Sequence, residues 1–72
     1  MAITSQVTGR QYHPSQCVYL VNPRQAAAYM KHGLELLDVY ADDGAKSPQL
    51  VFVFDMRDSK PLYEMWREHA LD

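Results

Sequence analysis

Apolar residues are unevenly spread along the 72-residue chain. Residues 1–16 are mostly polar, with isolated apolar positions at Ile3, Val7 and Tyr12. This pattern predicts an N-terminal arm that becomes ordered only by docking on the rest of the chain. Apolar residues then become dense, so residues 17–72 are expected to form a single domain.

Three segments have the β-branched and aromatic composition that favours strands. They cover residues 17–21, 34–40 and 50–54. An acidic loop over residues 41–48, with Asp43-Gly44 as its turn signal, joins the second and third segments into a hairpin. The third segment is the most apolar, so it is expected at the centre of the sheet.

A first helix is predicted over residues 24–32. Asn22 followed by Pro23 combines a preferred N-cap residue with proline in the first turn. One side of this helix carries residues at helical spacing, namely Ala26, Tyr29, Met30 and Gly33. Gly33 is also the natural residue to end it.

A second helix is predicted after Asp58-Ser59, which would cap it, with Pro61 near its first turn. Helical spacing of apolar residues continues towards the C-terminus. The residues on this side are Leu62, Met65, Trp66 and His69 or Ala70.

The element order strand, helix, strand, strand, helix predicts an α+β fold. We expect a three-stranded antiparallel sheet of order 1-3-2 with both helices on one face, a βαββα arrangement. The expected core beneath the helices contains Leu50, Phe52, Phe54, Ala26, Met30, Leu62, Met65 and Trp66.

The reverse face of this sheet is left without a helix. It is expected to carry Tyr19, Val21, Tyr40, Val51 and Val53, and these five residues are the predicted interface. Soluble monomers rarely leave apolar patches above a few hundred Å² bare. Three alternatives therefore remain for this face. The N-terminal arm covers it, a second copy in a homodimer or a foreign protein partner covers it, or it is simply exposed.

Charge argues against nucleic acid as the main partner. The chain has seven basic and nine acidic residues, a net charge of −2, whereas nucleic-acid binders usually concentrate basic residues on one face. In that alternative the footprint would comprise Arg10, Arg24, Lys31 and the tyrosines.

One cysteine, Cys17, forbids an internal disulfide and fits a reducing, cytoplasmic location. The chain shows no signal segment and no apolar run of roughly 20 residues, so no membrane association is expected.

Residue patterns for catalysis or metal binding are missing from the sequence. No glycine-rich elbow surrounds a serine, and the three glycines lie too far apart for a phosphate loop. His13 and Cys17 form one loose pair, whereas structural zinc needs four ligands. Turn formation and helix capping account for Asp42-Asp43 and Asp58. We therefore predict a protein that is not an enzyme, with no catalytic residue, metal, cofactor or small-molecule substrate.

The segment 18–66 carries a recognisable series of residues. It has the strand Val18-Tyr19-Leu20-Val21, a helix ending in Tyr29-Met30-Lys31-His32-Gly33, and Val51-Phe52-Val53-Phe54-Asp55 before a helix with Trp66. This series resembles a family of short, uncharacterised bacterial domains that are common in prophages and other mobile elements. The longer N-terminal arm departs from the family.

The family has no established activity, so the resemblance implies genomic context rather than chemistry. It implies a small non-enzymatic protein-binding module, encoded by a phage or mobile element. One form of such a module is an inhibitor of a host defence protein, of the anti-CRISPR type. The alternative is a small nucleic-acid-binding or regulatory protein.

Overall fold

A computed structural model describes residues 1–44 and 46–69, which contain five short strands and two helices. The strands are β1 (Ile3–Thr4), β2 (Gln11–Tyr12), β3 (Cys17–Leu20), β4 (Asp38–Asp42) and β5 (Gln49–Asp55), and the helices are α1 (Pro23–Lys31) and α2 (Met56–Arg67). A single 3-10 turn, Pro14–Gln16, connects β2 to β3. Neither helix of the described part is long and apolar enough to cross a membrane.

Two antiparallel sheets form, and this confirms the α+β class. β3, β5 and β4 make a three-stranded sheet in that order, with β5 in the centre, while β1 and β2 make a separate two-stranded sheet. The expectation of one three-stranded sheet is therefore met only in part. The reason lies in the arm, where Ile3 pairs with Tyr12 across a tight turn.

The core between the sheet and the helices is built on two aromatic rings. Tyr29 of α1 and Phe54 of β5 are buried, and their centroids lie 5.5 Å apart in an edge-to-face arrangement. Ala26 and Ala28 complete the buried cluster. Half-buried side chains surround it, namely Val18, Leu20, Leu34, Leu36, Phe52, Leu62 and Trp66. Both helices thus lie on the face of the sheet that carries Phe52 and Phe54.

Three residues expected in this core are exposed instead. They are Met30, Leu50 and Met65. The buried stripe of α1 passes through Gln25, Ala28 and Tyr29, and Met30 lies beside it. Gln25 tolerates burial because its Nε2 donates a hydrogen bond of 2.9 Å to the Tyr29 hydroxyl.

The start of α1 follows the sequence prediction. Asn22 is the N-cap, and its side-chain oxygen accepts a hydrogen bond of 3.0 Å from the Arg24 amide. Pro23 occupies the first helical position, where its missing N–H leaves no bond unmade.

The predicted start of the second strand is wrong by four residues. β4 begins at Asp38 rather than at residue 34, although the Leu37 amide already donates to the Val53 carbonyl of β5. The Leu34 amide donates to the Tyr29 carbonyl at the end of α1, and Leu36 and Leu37 pack on opposite sides of the sheet.

The predicted start of the second helix is also wrong. α2 begins at Met56, directly after β5, and its N-cap is Asp55, whose carboxylate accepts hydrogen bonds from the amides of Arg57 and Asp58. Pro61 consequently lies inside the helix rather than near its first turn. Ala70, which was included in the predicted helical pattern, lies outside the described residues.

This cap can be tested against the one predicted from sequence. Asp55→Ala removes the acceptor for two first-turn amides and is expected to lower the free energy of unfolding by about 1 kcal/mol. Asp58→Ala removes only a favourable charge near the helix N-terminus, a loss of about 0.3 kcal/mol. Urea unfolding of both variants measures the difference, and a larger loss for Asp58→Ala would contradict the assignment.

Candidate interaction surface

The reverse face of the three-stranded sheet is defined by the register of its strands. Tyr19 on β3 and Asp38 on β4 both lie opposite Val53 on β5, and Tyr40 lies opposite Val51. Directly opposed residues of antiparallel strands project to the same side of a sheet. Tyr19, Tyr40, Val51 and Val53 are therefore brought together by the fold on the side away from the helices, and Val21 follows the end of β3.

One half of the reverse face is covered by the N-terminal arm. Tyr12 forms a buried cluster with Cys17 and Val53, and Leu37 packs against it. Val53 is completely buried. Of the arm residues considered as cover, Tyr12 takes this position, whereas Ile3 and Val7 remain exposed.

A buried carboxylate holds the arm in place. Asp38 accepts hydrogen bonds from the Ser5 hydroxyl (2.6 Å), the Tyr12 hydroxyl (2.6 Å) and the Val39 amide (2.8 Å). Ser5 and Tyr12 belong to the arm, and Ser5 lies 33 positions away along the chain. Hydrogen bonds to an ionised acceptor are stronger than neutral ones. The two hydroxyls therefore tie the arm to the start of β4.

The ionisation of this cluster follows from its contacts. Burial alone raises the pKa of the Asp38 carboxyl, but the hydrogen bonds from Ser5, Tyr12 and the Val39 amide outweigh it, and the pKa lies below its usual value. The pKa of the Tyr12 hydroxyl is raised, first by its hydrogen bond to Asp38 and then by burial. Asp38 is thus a carboxylate at neutral pH, and Tyr12 keeps its proton and donates a hydrogen bond to it.

Ser5 also organises the turn between β1 and β2. Its hydroxyl oxygen accepts hydrogen bonds from the amides of Val7 (3.1 Å) and Thr8 (3.0 Å) while it donates to Asp38. Gly9, with φ of 76°, returns the chain and donates its amide to the Ser5 carbonyl. One hydroxyl therefore shapes the arm and docks it.

Two further side chains of the arm bind the segment before β4. The Thr8 hydroxyl donates to the Leu37 carbonyl at 2.6 Å, and the Arg10 guanidinium donates to the Leu36 carbonyl at 3.1 Å. Arg10 also forms an ion pair with Glu35. These contacts bind backbone groups just before Asp38, where β4 begins.

The other half of the reverse face stays accessible. Tyr19, Val21 and Tyr40 are 44%, 52% and 43% exposed. Val51 is buried and lies opposite Tyr40, so it forms the floor between the strands. We call these four residues the open patch. The Tyr19 hydroxyl donates to the Pro14 carbonyl, which joins the open patch to the covered half.

The predicted interface residues thus divide into two groups. Tyr19, Val21 and Tyr40 are accessible, whereas Val51 and Val53 lie inside, and Val53 cannot be reached while Tyr12 is docked. Their role as an interface stays a prediction.

The footprint of the nucleic-acid alternative is dispersed by the fold. Arg24 and Lys31 lie on α1, which packs on the opposite face of the sheet from Tyr40. Arg10 lies on the arm, where it pairs with Glu35.

The described residues include no group of three or more His, Cys, Asp or Glu side chains that could hold a metal. Cys17 is buried, and its thiol donates to the His13 carbonyl at 3.3 Å. Burial raises the pKa of the Cys17 thiol, and the nearby Asp55 carboxylate raises it further. A protonated, buried thiol is a packing group rather than a nucleophile.

Sequence reasoning missed Ser5 and Asp38. Asp38 lies among apolar residues, between Leu37 and Val39, and on the apolar side of the sheet. A lone acid in such a strand needs partners when it is buried. The sequence therefore indicated that Asp38, if buried, would have hydrogen-bond partners, but it did not identify them.

The docking of the arm can be tested with a pair of tyrosine variants. Tyr12→Phe keeps the ring but leaves one oxygen of a buried carboxylate without its donor, and it is expected to lower the free energy of unfolding by about 2 kcal/mol. Tyr19→Phe is the matched control, since its hydroxyl bonds an exposed carbonyl, and a loss of about 0.5 kcal/mol or less is expected. Urea unfolding measures both, and equal losses would show that the Asp38 contact does not hold the arm.

The same carboxylate predicts how stability depends on pH. Because the pKa of Asp38 is lower in the folded chain than its value of about 3.9 in the unfolded chain, ionisation favours folding. This contribution is complete well above pH 4 and is lost as the pH falls through the lowered pKa. Asp38→Asn should therefore be less stable than wild type at pH 7 but lose less stability on acidification. Thermal unfolding from pH 7 to pH 2 measures both curves, and parallel curves would contradict the assignment.

Comparison of the chain with family models, curated proteins and solved structures finds no match of any of the three kinds. The resemblance over residues 18–66 therefore stays a prediction, and the function is argued from the geometry of the surface.

Proposed function

We propose that this chain is a non-enzymatic protein-binding module and that the open patch is the surface that contacts its partner. The observation that supports the proposal is the exposure of Tyr19, Val21 and Tyr40 around Val51, on a sheet face whose other half is already covered. Tyrosine is enriched among the residues that dominate binding energy at interfaces. A rigid sheet also holds these rings with little loss of freedom on binding.

The charges beside the open patch indicate the chemistry of the partner. Asp42 follows Tyr40 by two positions on β4 and so projects to the same face, and Asp43 comes next in the hairpin turn. Exposed tyrosine rings attract cations, Arg above all. We therefore propose a partner surface that presents an apolar side chain next to Arg or Lys.

An inhibitor of a host defence protein, encoded by a phage or mobile element, is the specific form of this function that the family resemblance suggests. Nucleases and other proteins that handle nucleic acid carry basic surfaces. A small acidic chain with exposed tyrosines would act on such a protein by occupying that surface, without chemistry of its own. Its single free cysteine is consistent with action in the reducing cytoplasm.

The test uses a library of random peptides displayed on phage and selected against the wild-type chain. Selected peptides should combine an apolar residue with Arg or Lys, and Tyr40→Ala should weaken their binding about tenfold or more, as expected for a tyrosine at the centre of an interface. Leu50→Ala is the matched control, because Leu50 is also exposed on the sheet but projects to the opposite face. It should leave the affinity unchanged.

Two results would overturn the proposal. In one, the selected peptides bind Tyr40→Ala and Tyr19→Ala as well as they bind wild type. In the other, light scattering shows a wild-type dimer that Tyr40→Ala separates into monomers, which would make a second copy the occupant of the open patch. Thermal unfolding of each variant checks that the fold is intact.

A further inference from the structure

The outer edge of β3 is a second surface, which adjoins the open patch because β3 also carries Tyr19. β3 pairs with β5 on one side, and no other strand of the described residues pairs with it on the other. An edge strand presents unpaired backbone N–H and C=O groups that can bind another extended chain. The free edge of β3 therefore allows pairing with one additional strand.

An apolar groove runs beside this edge. It has a volume of about 210 Å³ and is lined by Val18, Leu20, Tyr29, Met56, Ser59, Lys60 and Tyr63. The residues from α2 recur at positions 56, 59, 60 and 63, which places them on one side of a helix. This stripe of α2 faces β3 across the groove.

The two buried side-chain hydroxyls that line the groove already have partners. The Tyr29 hydroxyl accepts a hydrogen bond from Gln25, and the Ser59 hydroxyl donates to the Met56 carbonyl. Met56 and Tyr63 are half-exposed at the rim. The groove therefore offers apolar surface to a ligand, and its hydrogen-bonding capacity lies along the strand edge.

Lys60 is the one charged residue among those that line the groove. Within the described residues it forms no ion pair. A carboxylate on a ligand would find a cation there and meet no competing acid from the lining of the groove.

We propose that the groove between β3 and α2 binds an extended peptide segment of a partner protein. The segment adds a strand to the outer edge of β3, places an apolar side chain between Val18 and Met56, and brings a carboxylate next to Lys60. Peptides commonly bind in this way, with backbone hydrogen bonds for affinity and a side-chain pocket for specificity. The groove lies on the helix side of the sheet, on the opposite face from the open patch, and goes beyond the proposed function.

The dimensions of the two walls agree with such a ligand. The four residues of β3 extend over about 10 Å at the rise of a strand. The stripe of α2 from Met56 to Tyr63 also extends over about 10 Å at the rise of a helix. The groove thus accommodates three or four extended residues.

A second copy of this chain is a poorer occupant than a foreign peptide. A symmetric dimer through β3 would place two grooves face to face, each with a lysine and no carboxylate in its lining. The pairing of two four-residue edges would also bury much less surface than the 1,200–2,000 Å² or so of a stable interface.

The experiment titrates the isotopically labelled full chain with synthetic hexapeptides. Their sequences alternate Leu, Ile or Phe with polar residues, and each is made with a free carboxylate and with an amide at its C-terminus. Binding should shift the amide resonances of Val18, Leu20 and residues 56–60, 62 and 63, and leave those of Tyr40 and Asp42 unchanged. N-methylation at alternate backbone positions should weaken binding about tenfold, because it removes bonds to the strand edge without altering the protein.

Three variants separate the contributions of the groove. Met56→Ala should weaken binding about tenfold, whereas Met65→Ala, an exposed methionine of the same helix outside the groove, should not. Lys60→Glu should weaken the carboxylate peptides about threefold relative to the amides. Tyr40→Ala should have no effect here, so this proposal and the proposed function can fail independently.

The proposal is overturned if none of the hexapeptides shifts Val18 and Leu20, or if their binding withstands both Met56→Ala and backbone N-methylation. It is also overturned if wild type sediments as a dimer that Met56→Ala converts to monomers, since the groove would then belong to an interface between two copies.

Discussion

The buried carboxylate of Asp38 is the contact on which the reverse face depends. It accepts hydrogen bonds from the hydroxyls of Ser5 and Tyr12, two residues of an arm that has few apolar residues of its own. Through Tyr12 the arm covers Val53, and a small chain gains a second cluster of buried residues on the side away from its helices. A 72-residue chain buries only about 60% of its unfolded surface, so this second cluster adds substantially to a thin margin of stability.

The docked arm also determines what is left for binding. It covers the half of the sheet near Asp38 and leaves Tyr19, Val21 and Tyr40 accessible in the other half. One half of this sheet face is thus buried under the arm and stabilises the fold, and the other half presents exposed tyrosines. Displacing the arm would expose Val53 and would leave the Asp38 carboxylate without two of its donors. Both changes cost free energy, so the arm stays docked over its half of the face.

Local chemistry made much of the fold predictable. The composition of residues 17–21 and 50–54 indicated strands, and Asn22 before Pro23 indicated the start of α1, because each signal acts within a few residues. The contacts of Asp38 were not predictable, since its partner Ser5 lies 33 positions away and hydrogen bonds of that kind leave no periodic pattern. The open patch was predicted as part of a larger surface, and only the position of the arm shows which part is accessible.

Asp55 has a role at the junction of two elements. It ends β5 and caps α2, so the central strand passes into the helix with no intervening loop. Such a junction leaves no slack in the backbone, and the spacing between α2 and the neighbouring β3 is set by the fold itself. A ligand bound between them would contact two surfaces at a fixed distance. Little binding free energy would be spent on rearranging the protein, and side chains too large for this gap would be excluded.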